Sequence, residues 1–163
     1  METLPVKLKE NYGSTDEKER RRCRMDNRKT SVNGRCKVKA LLSIHPKYAA
    51  SIFAGEKRYE YRRRLPKKRV SCILIYATAP ISKIIGEARV VDTLIMDKAK
   101  LWQQTKSYGG ISEKEFDRYF TGVDIGGAIL LSSPILYKEP LTIERIGLTR
   151  APQSFCYLSG EDE

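Results

Sequence analysis

The spacing of apolar and polar positions divides the chain into two unlike parts. Residues 1–37 are polar, rich in Arg and Lys, and almost free of branched apolar side chains. The run Glu17-Lys18-Glu19-Arg20-Arg21-Arg22-Cys23-Arg24 can form a transient charged helix but has no apolar stripe with which to dock. A basic, disordered arm is therefore expected there. From Val38 onward the apolar residues become periodic. Residues 38–44 read as a short strand. His45-Pro46 opens a helix, since proline suits a first turn whose N–H has no partner to lose. Tyr48, Ala49, Ile52 and Phe53 fall on one face of that helix, and Gly55 ends it. Residues 56–64 are charged and expected to be extended, up to the break at Leu65-Pro66.

Residues 70–77 form a nearly continuous apolar run, as expected of a central strand covered on both faces. After a turn at Thr78-Ala79-Pro80, residues 82–95 read as a long strand. There Ile84, Gly86, Ala88 and Val90 share one side, with Glu87 and Arg89 on the other. Asp97 is placed to cap a short helix carrying Leu101 and Trp102, and Trp102 reads as core. Tyr108-Gly109-Gly110 is expected to be a mobile loop. Ser112 and Glu115 then make a capping box, with Ile111 and Phe116 as its hydrophobic staple. Phe116, Tyr119 and Phe120 supply that helix's buried face, and Gly122 ends it. Residues 127–136 and 151–158 are two further strands, and Glu161-Asp162-Glu163 is an acidic tail. Strands and short helices interleave without regular βαβ alternation. That pattern predicts an α+β domain over 38–158, a small and mostly antiparallel barrel with helices covering its openings.

Charge narrows the partners. The 163 residues carry a formal net charge of +11 and a pI of about 9.6, which favours a polyanion, either nucleic acid or an anionic surface. No run of about 18 apolar residues is present to span a bilayer, and the N-terminus lacks the apolar core of a secretory signal. The expected location is the cytoplasm, and no membrane partner is expected. Cys23, Cys36, Cys72 and Cys156 form no C-x-x-C pair and His45 is the sole histidine, so no structural metal is expected. Cys72 reads as a small buried hydrophobe.

The chemistry concentrates in Gly55-Glu56-Lys57-Arg58-Tyr59-Glu60-Tyr61-Arg62-Arg63-Arg64. In an extended chain Arg58, Glu60, Arg62 and Arg64 share one face, and Tyr59 and Tyr61 the other. Lys57 sits where helix turns into strand, so strand parity does not place it. Arginine forks suit phosphates and base edges, and Lys67-Lys68-Arg69 lengthens the positive surface. The alternative is a solvated strand face stitched by ion pairs, since charge runs are commonly surface.

The spacing Gly55-x-Lys57-x-x-Glu60-x-Arg62 resembles the G-x-K-x-x-E-x-R signature of the ASCH domain family, whose fold is PUA-like. The flanking segments Leu41-Leu42-Ser43-Ile44-His45-Pro46-Lys47-Tyr48, Ile75-Tyr76-Ala77-Thr78-Ala79-Pro80 and Ile85-Gly86-Glu87 are also similar, in the family's order. The stretch from Trp102 to Phe120 and the closing Pro152-Gln153-Ser154-Phe155 resemble one branch often described as predicted transcriptional regulators. No helix-turn-helix pattern accompanies that description. The resemblance covers roughly residues 38–158. It implies a β-barrel that binds RNA or a modified nucleotide, with DNA an alternative, in a cleft bounded by the helix before the signature. Lys57, Glu60 and Arg62 would face that cleft. Ser43, Thr78 and Ser154 would lend it hydroxyls, unless these bond nearby backbone. His45 reads as a helix-entry residue, and Tyr108, beside two glycines, as the better base-stacking residue.

Related enzymes set the alternatives. An N4-acetylcytidine amidohydrolase in this fold uses Lys-x-x-Thr, with lysine activating the hydroxyl. Here the residue three after Lys57 is Glu60, which cannot serve as that hydroxyl, so Thr78 or Ser154 would have to substitute. A ribonuclease could use Lys57, Tyr48 and Ser154 around one phosphate, with a divalent metal possible for such an activity. A regulatory adaptor that binds an acidic protein surface is a third reading. The leading expectation is a nucleic-acid-binding module without a cofactor.

Overall fold

The structure, a computed structural model, describes residues 38–158. The arm and tail expected at 1–37 and 159–163 lie outside the described residues. In chain order the elements are β1 (Lys39–Ile44), α1 (Pro46–Phe53), β2 (Tyr59–Arg62), β3 (Cys72–Ala77), β4 (Lys83–Asp97), α2 (Lys98–Thr105), α3 (Glu113–Tyr119), β5 (Ile125–Leu141) and β6 (Phe155–Leu158). Single 3₁₀ turns occur at Lys106–Tyr108 and Ile143–Ile146.

The strands form one mixed sheet in the order β2-β5-β4-β3-β1-β6. β1 and β3 run parallel, and the other neighbours are antiparallel. β3 is buried along its whole length, as its unbroken apolar run requires between two neighbours and two covered faces. The α+β, PUA-like architecture is as expected, with one refinement. The sheet curls without a closing ladder, and a seam separates its terminal strands β2 and β6.

Bulges produce the curl. The β4–β5 register slips between Ile84 and Gly86, between Glu87 and Arg89, and between Val90 and Asp92, and each slip bends the strand and increases its twist. The expected alternation therefore holds only through Ala88. Ile85 is also buried, and Val91 is 56% exposed. β5 runs past the expected residue 136 to Leu141. Pro134 is accommodated because it falls in the slip between Ser132 and Ile135, where no ladder bond is lost.

Local signals place the helices. Pro46 begins α1, and His45 Nδ1 accepts from the Lys47 N–H at 3.2 Å. Phe53 of α1 lies directly over Gly86, where any side chain would strike its ring and the Ile135 carbonyl. Asp97 caps α2 through the Ala99 and Lys100 N–H groups. The Ser112–Glu115 capping box begins α3. Tyr61, Leu101, Trp102, Phe116, Phe120 and Ala128 form one apolar cluster, with Ile111 packed against it. Tyr119, expected on that buried face, is instead 39% exposed, with its ring near-perpendicular to Phe120 and the Arg63 guanidinium 5.7 Å from its ring centre. A second apolar cluster, Leu41, Leu74, Tyr76 and Ile84, is covered by the chain around Ile143 and Ile146. Among the described residues no helix is long and apolar enough to cross a membrane.

Candidate functional site

β2 is four residues long and faces two ways. Tyr61 points into the aromatic cluster, where its hydroxyl pairs with Thr105 Oγ1 at 2.8 Å and burial pushes its pKa up. Glu60 and Arg62 point to the other side. Lys57 reaches the same side from just before the strand. Gly55 at φ +79° turns the chain there, and the Lys57 N–H still bonds back to Ser51. The solvated alternative fails: Lys57, Glu60 and Arg62 are 3%, 7% and 7% exposed.

These three side chains form a continuous ionic row. Lys57 Nζ lies 3.7 Å from Glu60 Oε2, and Glu60 Oε1 lies 3.1 Å from the Arg62 guanidinium. Lys57 Nζ donates to the Gly109 carbonyl at 2.6 Å and sits 4.8 Å from the Tyr61 ring centre and 5.6 Å from that of Tyr48. Burial lowers the Lys57 pKa, while the Glu60 charge opposes that shift and the Arg62 charge adds to it. Arg62 crosses the seam. It donates to the Ser43 carbonyl at 2.8 Å and to both the carbonyl and hydroxyl oxygens of Ser154 at 3.2 Å. Its Nε is buried without a partner. One carboxylate thus serves two buried cations, leaving a surplus positive charge and an unsatisfied donor where the low dielectric strengthens both.

The rim comes from α1 and α3. The Tyr48 hydroxyl donates to Glu115 Oε1 at 3.3 Å, and Lys47 Nζ donates to the same atom at 2.9 Å. Glu115 Oε2 meanwhile completes the capping box with the Ser112 N–H and hydroxyl. These bonds, led by the Ser112 N–H, hold the Glu115 carboxyl at about 2. Burial, then the Glu115 charge, pushes the Tyr48 phenol up. The turn 108–110, expected to be mobile, is pinned over the row by the bond from the Arg58 N–H to the Tyr108 carbonyl and by the Lys57–Gly109 bond. A methyl group at 109 would collide with the Tyr61 hydroxyl. Tyr108 is 46% exposed, with the Arg58 guanidinium 4.5 Å from its ring centre.

The structure thus gathers Lys57, Glu60, Arg62, Ser43, Ser154 and Tyr48, with Tyr108 alongside. The Ser43 hydroxyl is committed to the Pro152 carbonyl, so its backbone carbonyl is the part that serves the row. Thr78 is tied through its backbone to Ile44, Ile81 and Ser82, and no bond connects its hydroxyl to the row. Arg64 lies beyond the end of β2 and is exposed, as are Lys67, Lys68 and Arg69. Sequence reasoning missed the Gly109 carbonyl and the second role of Glu115. The glycine pair, read as a mobile loop, is also a signal of close backbone approach, and the capping box did find Glu115, but neither named a partner. Among the described residues no group of three or more His, Cys, Asp or Glu could hold a metal ion. Between residues 57 and 69 eight Lys and Arg stand against the single carboxylate Glu60.

Comparison with known proteins gives a consistent result. The ASCH domain sequence model matches residues 42–131. The chain is 33% identical over 130 residues to an ASCH domain-containing ribonuclease of Zymomonas mobilis, covering 76% of this chain and 86% of that protein. The crystal structure of ASCH from Zymomonas mobilis matches with a TM-score of 0.68 at 32% identity, covering 76% of this chain and 89% of that one. The chain is also 29% identical over 119 residues to the large ribosomal subunit protein uL22 of Ureaplasma parvum. That match takes in 72% of this chain but only 38% of the relative's length.

Proposed function

The chain belongs to the ASCH domain family, and from that premise we propose that it binds RNA, in the cytoplasm, through the Lys57–Glu60–Arg62 row and the surface around it. The observation that carries this reading is the buried row itself, two cations on one carboxylate with the Arg62 Nε unpartnered. A phosphate supplies both the missing charge and the missing acceptor. Glu60 orients the two cations. The Ser154 hydroxyl accepts from Arg62 and so keeps its own proton to donate to a phosphate oxygen. Tyr108, stacked by Arg58, offers a platform for a base. Exposed Arg64, Lys67, Lys68 and Arg69 add contacts to further phosphates, which position a strand without reading its sequence. Modified nucleotides and DNA present the same phosphate chemistry and belong in the same binding assay.

A second reading, ribonuclease activity, is favoured by a specific pairing. Burial lowers the Lys57 amine, and its surroundings raise the Tyr48 phenol. Groups pushed apart in this way suit a base and an acid at one site. Lys57 would take the proton of a ribose 2′-hydroxyl, Tyr48 would return one to the leaving 5′-oxygen, and Arg62 with Ser154 would hold the phosphate. The Zymomonas relative is named a ribonuclease.

The test incubates purified protein, with and without Mn²⁺, against labelled single-stranded RNA and free N4-acetylcytidine, following binding and product together. RNA binding without turnover, lost in Lys57→Met, supports the binding module. RNA cleavage lost in Lys57→Met and in Tyr48→Phe makes the second reading the function. Acetylcytidine turnover would turn attention to the Thr78 and Ser154 hydroxyls. Equal RNA binding by wild type and Lys57→Met overturns the assignment of the row.

A further inference from the structure

The seam is bordered by β6 and by the segment between β2 and β3. Along β6, Cys156 and Leu158 turn toward the apolar cluster around Leu41. Phe155 and Tyr157 therefore face the other way, on the side of their ladder partners Leu42 and Ala40, with their rings near-perpendicular and 5.8 Å apart. The basic segment passes this pair. The Lys68 N–H donates to the Tyr157 hydroxyl at 2.9 Å, and Lys68 Nζ lies 5.5 Å from the Tyr157 ring centre. The half-buried Tyr157 ring is thus held by its contact with Phe155 and, at its hydroxyl, by backbone. Lys67, Lys68 and Arg69 are all exposed, and the sequence holds no Asp or Glu between Glu60 and Glu87.

We propose that this face is a second nucleic-acid subsite, at which a base of single-stranded RNA stacks on Tyr157 while Lys68 takes an adjoining phosphate. The proposal rests on the RNA-binding reading above and extends it along the chain. Ser154, which Arg62 grips, is three residues before Tyr157, about 10 Å of extended backbone. One strand can therefore run from the buried row onto the platform. Fixed aromatics beside unneutralised cations are the elements of sequence-tolerant single-strand binding. An isolated cation–ring contact would need only one of the three consecutive cations.

The test measures binding of fluorescently labelled oligouridylates, three and eight nucleotides long, to the full chain. Tyr157→Ala should weaken the octamer by roughly 5- to 150-fold, one stacked base's worth, and leave the trimer unchanged. Tyr157→Phe keeps the ring and should keep octamer affinity. Lys68→Gln should lower the slope of log affinity against log salt by about 1 for the octamer alone. Octamer affinity within twofold of wild type in Tyr157→Ala overturns the subsite. Equal losses for trimer and octamer also overturn it, because they mark Tyr157 as a structural residue. A wild-type chain that binds neither length sinks the RNA reading itself, and the subsite with it.

Discussion

Replacing Glu60 with Gln removes the one negative charge from the buried row while keeping the side chain's shape. The partners' side chains are 2% exposed for Lys57 and 8% for Arg62, against 9% for Glu60, so water cannot take over the role of the carboxylate. Breaking such a buried arrangement by removing one member costs about 3–5 kcal/mol. Gln can still accept a hydrogen bond from Arg62, which sets the expectation near the lower end. For a domain of this size about 3 kcal/mol corresponds to a fall in Tm of roughly 10 °C. The measurement is thermal and urea unfolding followed by circular dichroism. Lys57→Met added to Glu60→Gln should restore part of the loss, since it removes a charge left without its partner, giving a coupling energy of about 1 kcal/mol or more. A fall in Tm below about 3 °C, or strict additivity of the two substitutions, would refute the reasoning. The row would then act as an ordinary exposed ion pair of about 0–1 kcal/mol.

Four more outcomes are expected. The Lys57 pKa is lower in the folded protein than its ordinary value of 10.5, so the unfolded chain binds more protons between those two values and stability rises with pH through that window. Urea titrations up to about pH 10 should show this rise in wild type and lose it in Lys57→Met. Ser112→Ala should destabilise by about 1 kcal/mol through loss of the cap, read from urea midpoints. The Glu115 carboxyl is held at about 2 against 4.5. Its ties to Ser112, Lys47 and Tyr48 should therefore persist above pH 4.5 and be lost as pH falls toward 2, visible in the Tyr48 ring resonances. Gly110→Ala should displace the turn from Lys57, because Gly110 holds φ +65° and an added methyl would sit 2.5 Å from the Lys57 Cβ. Faster amide exchange at Arg58, whose N–H holds the Tyr108 carbonyl, would report it, and unchanged exchange would count against the pinned turn.

Local chemistry carried most of the fold. Pro46, Asp97 and the Ser112–Glu115 box each mark a helix start using atoms within three or four residues, so they are readable in order along the chain. The bulges are different. Nothing local in Ile84-Ile85-Gly86-Glu87 announces that the pleat slips, because the slip is set jointly with β5 across the ladder. The parallel pairing of β1 with β3 was likewise hidden, as its crossover is a short helix and an edge strand rather than a standard βαβ unit. At the site the residue types were legible but their burial was not. A stretch such as 57–64 reads as surface on composition. Only partners remote in sequence, Ser43, Gly109 and Ser154, let Lys57 and Arg62 go inside. The signature's spacing named the residues, and the long-range contacts gave them their environment.

The seam has a mechanical consequence. A barrel closed by backbone bonds has a girth that changes only in whole register steps. Here the last join, from β2 to Ser43 and Ser154, is a single guanidinium on a flexible stem. The circumference can relax by fractions of an ångström without breaking any ladder. On the proposed reading, a phosphate that draws on the same guanidinium would loosen the fastening as it binds, and the gap between β2 and β6 would adjust to its occupant rather than to a fixed gauge.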